Sequence, residues 1–121
     1  PVHCVAGTPG ADVHPDLAVP PRGYFVNKAT RADLEAYSSL QGTGLAEELR
    51  RRGVKRVFLC GLATDYCVKH SALDAARAGF ETVVLEDVCR GVDVPPGTAA
   101  AALRTMADAG VRIGSSEEIE S

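Results

Sequence analysis

The chain has no tryptophan, a single methionine and no long apolar run among its 121 residues. Nothing in it approaches the roughly 20 consecutive apolar residues that a membrane-crossing helix needs, so no membrane partner is expected. An excess of positive charge is also missing: 13 Lys and Arg stand against 16 Asp and Glu, for a formal net charge of -3. That balance argues against a nucleic-acid partner. The one dense basic cluster, Arg50 to Arg52, reads as cations placed at the C-terminal end of a helix. Cysteine is sparse, and Cys4, Cys60, Cys67 and Cys89 form neither a CxxC pair nor a disulfide framework. A reducing, cytoplasmic location is the resulting expectation. The chain opens on Pro1 with neither a Met nor a leader-like run, so its beginning is uninformative about targeting.

What is present is the composition of an ordinary globular domain, 45% hydrophobic and 24% charged. A chain of this length makes one domain at most and buries about two-thirds of the surface its unfolded form exposes. The stretch from Pro1 to Arg22 holds most of the seven prolines and has no periodicity, so it is read as an ordered surface loop. Tyr24 to Val26 reads as a short buried strand that ends at Asn27 and Lys28.

From Gly44 onward the pattern is regular. Leu45, Ala46, Leu49 and Val54 recur at helical spacing, and Gly53 stops the helix. Val57 to Cys60 suits a parallel strand buried on both faces. Asp65 precedes a second helix that begins near Cys67, carries Val68, Ala72, Ala75 and Ala76, and ends at Gly79. Thr82 to Leu85 reads as a strand, followed by a loop with Cys89, Gly91 and Pro95, a helix from about Gly97 to Ala109, and a last strand over Val111 to Ile113. Strands alternating with helices predict an α/β fold of three layers, a mostly parallel sheet with helices on both faces. Ligands bind such sheets beyond the carboxyl ends of the strands, where Gly61 to Cys67 falls.

A thiol in the first turn of a helix faces free backbone N–H groups and the positive end of the helix dipole, both of which favour thiolate. The same N–H groups can serve a developing oxyanion. Cys67 is thereby a candidate nucleophile, although a small apolar residue packed between helix and sheet is the commoner role of a free cysteine.

The wording around Cys67 goes further. Gly61-Leu62-Ala63-Thr64-Asp65-Tyr66-Cys67-Val68-Lys69 is similar to the nucleophile segment of bacterial nicotinamidases, members of the isochorismatase-like hydrolase superfamily. Pro1-Val2-His3-Cys4-Val5, then Gly7-Thr8-Pro9-Gly10-Ala11 and His14-Pro15, resembles that family's histidine–cysteine loop. Asn27-Lys28 with Ala36-Tyr37-Ser38, and Asp87-Val88-Cys89-Arg90-Gly91-Val92, resemble two more of its segments, in the family's order.

The resemblance implies hydrolysis of nicotinamide to nicotinate and ammonia through a thioester on Cys67, as a step of NAD salvage, with pyrazinamide as a further substrate. It implies Lys28 as the catalytic lysine and His3 as one ligand of a divalent metal: zinc, iron or manganese. It also implies a cis peptide bond between Leu62 and Ala63, an oxyanion hole from the N–H groups of Ala63 and Cys67, and Leu62, Tyr37 and Tyr66 beside the substrate ring. Taken singly, Lys28 is otherwise an exposed lysine, His3 a loop residue, and the tyrosines the rim of a core. Asp65 is read as a helix N-cap rather than a base. His14 is read as a loop residue and His70 as a helix-surface residue; Cys4, Cys60 and Cys89 are taken as structural thiols.

The chain departs from the family's pattern in three ways. The family's catalytic aspartate, its first strand and helix, and its Asp-x-His metal ligands match no residues here, so residues 1–121 read as a partial isochorismatase-like domain that opens inside a motif. Ala29 stands where a glycine is usual, and Leu40 where an aromatic is common. Two other readings stay open: another cysteine amidohydrolase of the superfamily acting on a carbamoyl or ureido group, and a noncatalytic binding module. The apolar helices also leave room for a homo-oligomer.

Overall fold

The computed structural model describes residues 6–28 and 37–119. Three strands, β1 (Arg56–Leu62), β2 (Glu81–Arg90) and β3 (Arg112–Gly114), lie side by side in that order, and both pairings are parallel. Parallel neighbours cannot be joined by a hairpin and need a crossover. The helix α2 (Lys69–Arg77) carries the chain from β1 to β2, and α3 (Thr98–Asp108) carries it from β2 to β3; α1 (Leu45–Arg51) precedes β1. The expected parallel α/β architecture is the observed one.

The register explains where the core sits. Leu59 pairs with Val84 and Val84 with Ile113, which sets the three side chains in a row on one face. Against that row pack Ala72 of α2 and Ala102 and Met106 of α3, with Met106 fully buried. Burial of a side chain of that size contributes about 1.5 to 3 kcal/mol, and the alanines let the helices approach the sheet closely. Val83 and Leu85, which alternation sends to the opposite face, are buried as well. β2 is therefore covered on both sides.

The helix α1 ends as its sequence predicts. Gly53 adopts a φ of 74°, a conformation that glycine takes without steric cost. Arg51 and Arg52 fold back on Glu48 and hold its carboxyl down at about 2. Arg50 donates to the carbonyl of Ala78 at 2.8 Å. The basic cluster is thus engaged within the fold.

Three expectations need correction. Tyr24 to Val26 is not a strand: Tyr24 and Phe25 are exposed, and among the described residues no strand pairs with them. A short apolar run without a ladder partner makes no strand. Instead the Arg52 guanidinium lies over the Tyr24 ring, 4.8 Å from its centroid. Second, β1 is not buried on both faces, because its exposure alternates and Phe58, Cys60 and Leu62 are exposed. β1 has a single neighbour among the described strands. Third, Cys89 is not in a loop. The ladder slips between Leu59 and Gly61, which lets β2 continue to Arg90 and pairs Gly61 with Cys89, whose side chain joins the core. Burial there pushes the Cys89 thiol above its usual range.

Candidate active site

β1 ends at Leu62, the peptide bond between Leu62 and Ala63 is cis, and the chain enters a single π-helical turn, Thr64–Val68, which runs directly into α2. The amide of Val68 donates to the carbonyl of Ala63 at 3.0 Å, and that of Lys69 to the carbonyl of Thr64. Such wide turns occur mostly as single turns and often at functional sites. Cys67 lies inside this one, half-buried, at the carboxyl end of the strand.

The helix therefore begins earlier than the sequence suggests. Ala63, not Asp65, is the capping residue, and Asp65 has a different task. Its buried carboxylate accepts hydrogen bonds from the amides of Val92 and Asp93, at 2.9 and 2.8 Å, and from the hydroxyl of Thr98 at 2.8 Å. Burial pushes this carboxyl up, but the bonds from Asp93, Val92 and Thr98 outweigh it, and it stays below the usual carboxylate range. Asp65 is thus an anionic peg that ties the cysteine turn to the loop after β2 and to the start of α3. Gly91 makes the close approach possible, since a Cβ there would lie 2.6 Å from the Cβ of Ala99. No short-range pattern marks this contact, because its partners are 27 to 33 residues away.

The contact between Lys28 and Cys67 is equally nonlocal. Lys28 Nζ donates to Cys67 Sγ at 3.1 Å across 39 residues of sequence. An ammonium in that position complements a thiolate and orients it. Lys28, Cys67 and Leu62 share a cleft of about 380 Å³ with Leu40 and Ser71, and its apolar wall continues to Leu49 and Val57.

Tyr37 and Tyr66 do not line this cleft; they meet next to the cysteine turn, with ring centroids 5.6 Å apart and planes tilted by 46°. His70 is not simply on the helix surface: it is half-buried and stacks on Tyr37, 5.5 Å between centroids at 21°. His14 is an exposed loop residue as expected, and its Nδ1 accepts from the amide of Asp16. His3, Cys4 and Ala29 lie outside the described residues. Among the described residues no three His, Cys, Asp or Glu side chains gather as a metal site, and no helix is long and apolar enough to cross a membrane.

A parallel α/β sheet with a cysteine just beyond the carboxyl end of a strand, met there by a lysine from outside the sheet, belongs to a class of domain that binds ligands at its strand ends. Within that class the chain belongs to the isochorismatase domain family, whose family model matches residues 1–118. It is 43% identical over 118 residues to the nicotinamidase/pyrazinamidase of Mycobacterium tuberculosis, covering 93% of this chain and 61% of that protein. The pyrazinamidase of Pyrococcus horikoshii, solved in complex with zinc, superposes with a TM-score of 0.88 at 44% identity, over 95% of this chain and 62% of that one. PnC1 from L. infantum, solved in complex with nicotinate, gives a TM-score of 0.87 at 34% identity, over 95% of this chain and 60% of that one. The chain thus spans about three-fifths of the length of these relatives.

Proposed function

We propose that the protein carrying this chain hydrolyses nicotinamide to nicotinate and ammonia, with Cys67 as nucleophile. The observation that carries the proposal is the 3.1 Å bond from Lys28 Nζ to Cys67 Sγ, in a family whose similar members include nicotinamidases. The Cys67 thiolate adds to the carboxamide carbon, and the oxygen that becomes negative is met by the N–H groups of Ala63 and Cys67. The carbon–nitrogen bond breaks, and nitrogen leaves as ammonia after taking up the proton that the Cys67 thiol gave up on forming the thiolate. Water then adds to the thioester, releasing nicotinate and returning the thiol. The proton acceptor that the resemblance calls for matches no residue of this chain; Asp65 does not replace it, because its oxygens are engaged by Val92, Asp93 and Thr98.

Lys28 holds the thiolate in place, and Leu62, Tyr37 and Tyr66 border the ring of the substrate. His3 would supply one ligand to a divalent metal, zinc, iron or manganese, which when bound holds the pyridine nitrogen. Among the described residues no three His, Cys, Asp or Glu side chains gather as a metal site, and none of the steps above runs through the metal. Pyrazinamide, with the same carboxamide on a nitrogen heterocycle, is the second substrate. NAD salvage in the cytoplasm is the setting this reaction fits.

A partition experiment tests the thioester. With nicotinamide and hydroxylamine present, an acyl-enzyme delivers nicotinohydroxamate alongside nicotinate, and both products disappear in Cys67→Ala. Ammonia release without any hydroxamate at high hydroxylamine contradicts the thioester route. Turnover of a carbamoyl or ureido substrate in preference to nicotinamide contradicts the substrate assignment.

A further inference from the structure

We infer that His70 is a positioning residue for the aromatic pair Tyr37 and Tyr66, which the amidase reading puts beside the substrate ring, acting through Tyr37 without touching the reacting atoms. The inference rests on the amidase reading above. Tyr37 is 42% exposed, and a tyrosine so exposed is ordinarily free to change rotamer. Two adjacent residues of α2, just beyond Cys67, remove that freedom. Ser71 Oγ accepts from the amide of Ser39 at 2.8 Å and fixes the backbone that follows Tyr37. Ser38 is fully buried beside it, and its hydroxyl accepts from the amide of Leu40 at 3.1 Å.

These bonds hold the main chain but leave the ring of Tyr37 to rotate. His70 supplies the missing restraint, because its imidazole lies nearly parallel to the Tyr37 ring, at 21° and 5.5 Å. A second contact comes from Tyr66, whose tilted ring is 5.6 Å away and whose backbone neighbours Cys67. One short stretch of chain, Tyr66 to Ser71, therefore presents the nucleophile and also sets the plane of an aromatic side chain that arrives from the Tyr37 loop.

A ring already held in its bound orientation costs less to order when a flat heteroaromatic substrate docks. Loss of the stack should therefore weaken binding and leave the chemistry at Cys67 almost unchanged. Aromatic pairs of this geometry are worth enough to predict a roughly three- to tenfold effect.

The test compares wild-type full-length protein with His70→Ala and His70→Phe, measuring kcat and KM for nicotinamide and the thermal midpoint of each. Expected are a KM raised about three- to tenfold in His70→Ala with kcat within about twofold, and a KM restored in His70→Phe, which keeps a stacking ring. An unchanged KM in His70→Ala overturns the inference while leaving the amidase reading intact. So does equal impairment of the two variants, or a fall confined to kcat. A wild-type protein that releases no ammonia overturns the amidase reading and this inference with it.

Discussion

The strands β1 and β2 are neighbours in one ladder and differ in almost every other respect. From Thr82 to Leu85 the central strand β2 is buried on both faces. β1 alternates between half-buried and exposed, and Leu62 at its end is 74% exposed. Cys67 and its turn follow the exposed strand, while the backbone amides that bind Asp65 of that turn belong to Val92 and Asp93, just after the buried one. Asp65 joins the two regions by binding the backbone just after β2. The difference separates exposure from rigidity: Tyr66 is exposed and Cys67 half-buried, while Thr64, Asp65 and Val68 of the same turn are buried in the packing of β2, α2 and α3.

Substitutions break this comparison at different strengths. The largest effect is expected for Lys28→Ala, which removes the cation beside Cys67. Activity should fall by about 100-fold, with a thermal midpoint near that of wild type; a variant of undiminished rate would detach Lys28 from the mechanism. Asp65→Ala leaves a group of donors without their anion and should cost about 3 kcal/mol in chemical denaturation. A loss below about 0.5 kcal/mol would show that the peg between the two regions carries no weight.

Within the sheet, Val84→Ala should destabilise by about 2 kcal/mol, and Leu62→Ala by less than about 0.5 kcal/mol. Equal losses would erase the distinction between the strands. Acid sharpens it further. The Asp65 carboxyl is held below its ordinary value in the folded protein, so its contribution is fully present above the unfolded carboxylate pKa of about 3.8. That contribution is lost as pH falls from there through the depressed folded value. Asp65→Asn should flatten this acid limb of the stability curve; an unchanged limb assigns it to other carboxylates. The smallest effect is one of labelling: exposed Cys60 should react with iodoacetamide well before Cys89, whose thiol is buried and shifted upward. Equal rates under native conditions would contradict the burial of β2.

Local signals carried much of the fold and little of the site. Gly53, Gly79 and Gly110 ended the helices where their backbone conformation demands glycine, and the run Thr82 to Leu85 was visible as a strand because it is buried on both faces. The extension of β2 through Cys89 was not visible, since it depends on a slip in the ladder with β1. Tyr24 to Val26 misled for the related reason that an apolar triplet says nothing of whether a partner strand lies beside it. In the site, local chemistry suggested Cys67, but Lys28 entered through the resemblance to the nicotinamidases. Their contact spans 39 residues, and no spacing rule reaches that far. Asp65 and His70 were read as a cap and a surface residue because their true partners, Val92 to Thr98 and Tyr37, are distant in sequence.

The most direct test of Cys67 as the working group at the open end of β1 is ammonia release from nicotinamide by the full-length protein and its Cys67→Ala variant. Both must first show the same cooperative unfolding. Wild type should release one ammonia for each nicotinate formed, and the variant none above the uncatalysed background. A folded Cys67→Ala protein that keeps releasing ammonia at the wild-type rate would contradict the assignment.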